Sequence, residues 1–97
     1  MAAYMIVHAE ITKPEQFAEY GKAAAQLISQ FGGEYLMRGG HDSVLEGEWS
    51  DSCRSVISKW PSLEAVKSFW NSPEYTEIKK LREGAGDVQV MIYEGAD

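Results

Sequence analysis

The stretch AYMIVHAEI (3–11) constrains the fold more than any other, because it is apolar on both sides. In an extended chain Tyr4, Ile6 and His8 point one way, and Met5, Val7, Ala9 and Ile11 the other. A strand of that kind needs cover on both faces. A chain of 97 residues is expected to form one domain, 1–97, with a thin core, burying roughly 60–65% of the surface its unfolded form exposes. It covers a sheet twice only if its helices take one face and a second copy takes the other. The composition agrees, since 44% hydrophobic residues with three Trp and five Tyr are more apolar material than so small a monomer hides. A homodimer is therefore the expectation.

The remaining elements follow from periodicity and punctuation. In TKPEQFAEYGKAAAQLISQFGG (12–33), Thr12 and Glu15 read as a capping box and Pro14 suits a first helical turn. Phe17, Tyr20, Gly21, Ala24, Leu27 and Ile28 recur at spacings of three and four, and Gly32-Gly33 closes the helix. EYLMRG (34–39) and SVLEGEW (43–49) read as short extended segments joined by a turn at Gly40-His41-Asp42, a hairpin or a bent strand. CRSVISKW (53–60) is a strand that Pro61 stops. Ser62 caps a helix, Ser72 with Pro73 restarts it, and Gly84 and Gly86 end it before the alternating strand DVQVMIYE (87–94). The order strand, helix, strand, strand, helix, strand predicts an α+β, ferredoxin-like βαββαβ split sheet with both helices on one face.

Charge and composition exclude several roles. The net charge of −6 repels phosphate backbones and anionic lipid, and the glycine-aromatic signature of RNA-binding sheets is missing, so no nucleic-acid partner is expected. No run approaches the roughly 18–20 apolar residues that span a bilayer, and no signal-peptide pattern opens the sequence. A cytoplasmic protein with no membrane association is the expectation. The lone Cys53 permits no internal disulfide and reads as structural. Two histidines without an i, i+4 relation or paired cysteines predict no metal site, and no cofactor is expected.

YLMRGG, LEGEW, KWPS and FWNSPEY followed by LR resemble, in their order and spacing, the DUF1330 family of bacterial proteins within the dimeric α/β-barrel superfamily. The resemblance covers nearly the whole chain. It implies a ferredoxin-like protomer whose sheet pairs with that of a twin, in a superfamily that includes cofactor-free monooxygenases, isomerases and haem proteins. Two positions depart from the family pattern: Lys59 stands where an acid is usual, and Asn71 where Asp is common. If that acid partners the arginine, the pairing is lost here.

Several residues are candidates for chemistry, each with a structural alternative. Arg38 either pairs with Glu46 or Glu48 across a hairpin, or bonds carbonyls near Gly39-Gly40, or forks a carboxylate or enolate oxygen of a small ligand. His8 is a hydrogen-bonded core or interface residue or a pocket acid-base group, and Tyr75 is the other candidate proton carrier. Tyr20, Trp60 and Trp70 are core aromatics or the walls of a ligand cavity between helices and sheet. Arg82 reaches solvent or closes the cavity mouth. The expected function is binding of a small anionic or aromatic molecule, with cofactor-independent oxygenation or isomerisation as the chemistry. A non-catalytic dimeric interaction module is the alternative.

Overall fold

A computed structural model describes residues 2–95. Strands β1 (Ala3–Ile11), β2 (Glu34–Gly40), β3 (Cys53–Trp60) and β4 (Gly86–Glu94) form one antiparallel sheet in the spatial order β2-β3-β1-β4. Helix α1 (Pro14–Gln30) links β1 to β2. Helices α2 (Leu63–Trp70) and α3 (Pro73–Lys79), the latter running into a 3-10 turn at Lys80–Arg82, link β3 to β4. This is the ferredoxin-like split sheet.

The strand register decides which face the helices cover. Met5 stands opposite Ser58 and Ile92, and Val7 opposite Val56 and Val90. Ala3, Met5 and Trp60 share the buried core with Leu27, Val66 and Phe69. The odd-numbered side of β1 therefore carries the helices, while Tyr4, Ile6 and His8 face the other way with Ile57 and Met91. No helix covers that second face among the described residues, and it leaves Tyr93 51% and Met37 43% exposed.

Local chemistry explains most helix ends. Gly32 takes φ +90° after α1, Gly33 N–H donates to the Ile28 carbonyl at 2.9 Å, and Gly32 N–H to the Ser29 carbonyl at 3.1 Å. That paired pattern is the Schellman motif, which only a residue free to adopt a left-handed backbone closes without strain. Ser62 and Ser72 cap α2 and α3, their hydroxyls accepting from Ala65 N–H and Tyr75 N–H, each at 3.1 Å.

Two expectations are corrected. Residues 43–49 are not a strand: they lie in the irregular connection between β2 and β3, with Leu45 96% exposed and Gly47 at φ +90°. The strand that pairs with β2 is β3, leaving the outer edge of β2 free, and residues 41–52 form the long irregular link between these two strands. The Thr12–Glu15 capping box also does not form. Lys13 precedes the first helical residue and makes no side-chain cap, and Thr12 N–H and Lys13 N–H instead donate to the Ala85 carbonyl at 2.8 and 3.1 Å. The start of α1 is thus tied to the start of β4 through the backbone.

Candidate functional site

A cavity of about 500 Å³ opens between α1 and the sheet. Its floor is Met5, Val7 and Ala9 of β1 with Val56 of β3; its ceiling includes Phe17, Tyr20, Gly21 and Ala24 of α1. Phe69, Trp70 and Tyr75 also line it. Gly21 helps keep the space open, because a Cβ there would meet nothing within 4 Å. A glycine inside a helix costs about 1 kcal/mol relative to alanine, so its only local product here is volume.

The ceiling carries a phenol pair. The Tyr20 and Tyr75 hydroxyls are 2.8 Å apart, with their rings edge-on at 6.4 Å between centroids. Ser72 fixes Tyr75 in place: its hydroxyl accepts from Tyr75 N–H and donates to the Phe69 carbonyl at 2.8 Å. Tyr75 then packs between Phe69 and Trp70, at 4.5 and 5.0 Å between ring centroids, and is only 2% exposed. Arg82 completes the group, its guanidinium carbon 5.3 Å from the centre of the Tyr20 ring and its Nε buried without a hydrogen-bond partner among the described residues. Burial, aided by the charge and hydrogen bond of Tyr75, pushes the Tyr20 phenol well above its ordinary value, and Arg82 only partly offsets this. Burial opposes the charge on Arg82, but the two phenols outweigh it and hold the guanidinium in its charged form.

The floor carries cations. Tyr35 pairs with Ser58 and Met37 with Ile57, so Leu36 is an extra residue in β2, a β-bulge. The bulge breaks the alternation, and Tyr35 and Arg38 consequently face the same side although they are three residues apart. Arg38 lies over the Tyr35 ring, 4.6 Å from its centre, and both line the cavity. Burial raises the Tyr35 phenol, with Arg38 pulling in the opposite direction. The next residue, Gly39, takes φ +144°, a conformation that side chains rarely adopt, which accounts for the first glycine of the Arg-Gly-Gly stretch. Among the described residues Arg38 makes no ion pair with Glu46 or Glu48; Lys80 pairs with Glu77 at 3.2 Å, and His41 Nε2 lies 3.8 Å from Asp51 Oδ1.

The fold thus brings Tyr20, Tyr75, Trp70 and Arg38 around one space, with Arg82 behind the phenols. It does not bring His8 and Trp60 there. Strand alternation puts His8 on the opposite face, where Nδ1 lies 3.0 Å from the Ser55 hydroxyl and the ring meets Trp49 edge-on at 5.2 Å. A smaller recess of about 240 Å³ lies on that side, lined by His8, Glu48, Trp49, Asp87 and Gln89 among others. Beside it, hydrogen bonds from Ser52 and Ser50 hold the Glu10 carboxyl below its usual range. Trp60 is 1% exposed in the core, its Nε1 donating to the Ser58 hydroxyl at 2.8 Å and its ring 5.2 Å from Phe69. Lys59 shares the face of Tyr4, so the departure from the family pattern at that position does not bear on Arg38.

Tyr35, Arg54 and Gly21 are among the lining residues that the pattern of the sequence did not assign to a site. Arg54 has the strand parity of Trp60, a signal that could have placed it on the helix side. The bulge that turns Tyr35 and Arg38 together leaves no comparable trace in a run such as EYLMRGG.

A family model described as Domain of unknown function (DUF1330) matches residues 2–96. The chain belongs to the DUF1330 family. Among solved structures, this DUF1330 chain is similar to a protein of unknown function from Rhodopseudomonas palustris, at 22% identity and a TM-score of 0.77 over 99% of this chain and 83% of that one. It is similar in fold to SnoaB, a cofactor-independent oxygenase from Streptomyces nogalater, at 10% identity and a TM-score of 0.72 over 99% and 94% of the two chains. A dimeric ferredoxin-like protein of unknown function from Thermobifida fusca aligns at 12% identity and a TM-score of 0.66 over 96% and 90%. None of the curated proteins matches this chain. Among the described residues no helix is long and apolar enough to cross a membrane.

Proposed function

We propose that this DUF1330 chain forms a homodimer through the open face of its sheet and binds a small anionic or aromatic molecule in the cavity of each protomer. The observation that carries the reading is the cavity itself. Its roughly 500 Å³ of largely apolar space, with a few convergent polar groups, falls within the range that small-molecule sites occupy. An interaction module with no ligand would have no use for a helix glycine that keeps such a space open. The exposed Met37 and Tyr93 beside Ile57 and Met91 supply an apolar surface for a second copy, in keeping with the dimeric description of the Thermobifida fusca neighbour.

The chemistry follows from the polar groups. Tyr20 is protonated at neutral pH, as an ordinary phenol is, and burial opposes its ionisation further, so the Tyr20–Tyr75 pair is a hydrogen-bond donor to a ligand oxygen on which negative charge develops. Tyr75 is the proton carrier, Tyr20 and Arg82 hold its hydroxyl in place, Trp70 stacks on an aromatic body and Arg38 faces the anion. That set suits a molecule passing through an enolate or phenolate, by proton-shifting isomerisation or by direct reaction with oxygen. The likeness to SnoaB supports the second course.

The test is a thermal-shift screen of aromatic acids, phenols and enolisable aromatic ketones against wild type and Arg38→Ala. Wild type melts higher with at least one ligand class, and the variant loses the response to anions. Identical responses of the two proteins to every anion would remove Arg38 from the site. Sedimentation at micromolar concentration checks the homodimer, and a monomer there refutes it.

A further inference from the structure

We infer that Arg38 and Arg54 together form a carboxylate clamp on the sheet side of the cavity, so that its ligand is an amphipathic monocarboxylate: an aryl or alkyl body in the apolar space and one carboxylate across two guanidinium groups. The inference rests on the cavity being a ligand site and names what it selects. Arg38 stands opposite Val56, and Arg54 lies two residues along the same strand, so the two arginines are diagonal neighbours on one face with Cβ atoms about 7 Å apart. Both line the cavity.

Like charges so placed repel, so the pair costs stability unless a negative group lies between them. This chain has 15 acidic residues against nine basic ones, yet among the described residues neither arginine has a carboxylate within ion-pair distance. Local structure is spent on the arrangement: the Leu36 bulge turns Arg38 onto the cavity side, and Tyr35 supports its guanidinium from beneath. The glycine that follows Arg38 also lines the space, and at Gly40 the Arg54 Nη1 lies only 3.8 Å from where a Cβ would stand. Two planar forks match the two oxygens of a carboxylate, and the surrounding Val7, Ala9, Val56 and Phe17 match a hydrocarbon.

Calorimetry with naphthoate and decanoate, against naphthylmethanol and decanol as neutral counterparts, tests the clamp. Each acid is expected to bind about tenfold or more tightly than its alcohol, and Arg38→Gln or Arg54→Gln to remove that preference while leaving the alcohol unchanged. Added salt weakens the acids and spares the alcohols. Both side chains are exposed, so the variants should melt near wild type; if one fails to fold, the other and the salt dependence of wild type still decide. Alcohols binding as well as acids, or acids binding both variants as tightly as wild type, overturn the clamp and leave the cavity reading standing. Tighter binding of phenyl phosphate than of naphthoate overturns the carboxylate assignment. If neither acids nor alcohols bind, the clamp and the cavity reading fall together.

Discussion

Replacing Gly21 by alanine should stabilise the protein, although the residue stands in the wall of the candidate site. Gly21 lies within α1 with an ordinary right-handed backbone, so alanine suffers no strain there. An added Cβ meets nothing within 4 Å, so there is neither a clash nor a packing gain. What remains is helix propensity, in which alanine exceeds glycine by about 0.8–1.0 kcal/mol. For a domain of this size that amounts to a rise in Tm of about 4–8 °C, readable by scanning calorimetry. Gly21→Leu extends the logic: its side chain enters the cavity, retains most of the helix gain and excludes the ligands that raise the melting temperature of wild type. A fall in Tm for Gly21→Ala would refute the reasoning, because it would mean that α1 lies against the sheet at this point instead of standing off it.

Three further outcomes are expected. Gly33→Ala should destabilise by about 1–3 kcal/mol in chemical denaturation, because its Cβ would stand 2.7 Å from Ile28 Cγ2 and 2.8 Å from Trp60 Cε2, too close for two well-packed neighbours to yield. Tyr20→Phe and Tyr75→Phe should each cost about 1 kcal/mol, and the double variant less than their sum, since each single change strands the other hydroxyl. Alkaline titration followed by tyrosinate absorbance should find Tyr20 and Tyr35 ionising later than the free phenol value of 10.0, because burial holds both protonated. The unfolded chain ionises first, so the stability from these two groups is complete below about pH 10 and declines as the pH rises beyond it.

Much of this architecture is written in local chemistry. The stripe from Phe17 to Ile28, the Gly32-Gly33 closure, the Ser62 and Ser72 caps and the alternation of the last strand each act within a few residues, so the sequence alone determined that helices and strands would occur there and in what order. The aromatic content of α1, α2 and α3 likewise pointed to a space between helices and sheet. The extended reading of residues 43–49 failed because a strand is made by its partner: β2 pairs with β3, distant in sequence, and residues 43–49 pair with nothing although the outer edge of β2 is free. Thr12 failed as a cap because the backbone partner that mattered, Ala85, lies far along the chain.

The sides were decided only by tertiary structure. An apolar-apolar strand such as β1 has no inherent inner face, so nothing local separated His8 from Met5; the pairing of β1 with β3 and β4 did so, sending His8 away from the phenols. Arg38 entered the cavity through a single extra residue at Leu36, and met Arg54 through cross-strand register. Register and bulges arise from contacts between segments distant in sequence, whereas caps and periodicity arise within one segment. That difference is why the elements were legible in the chain and the membership of the site was not.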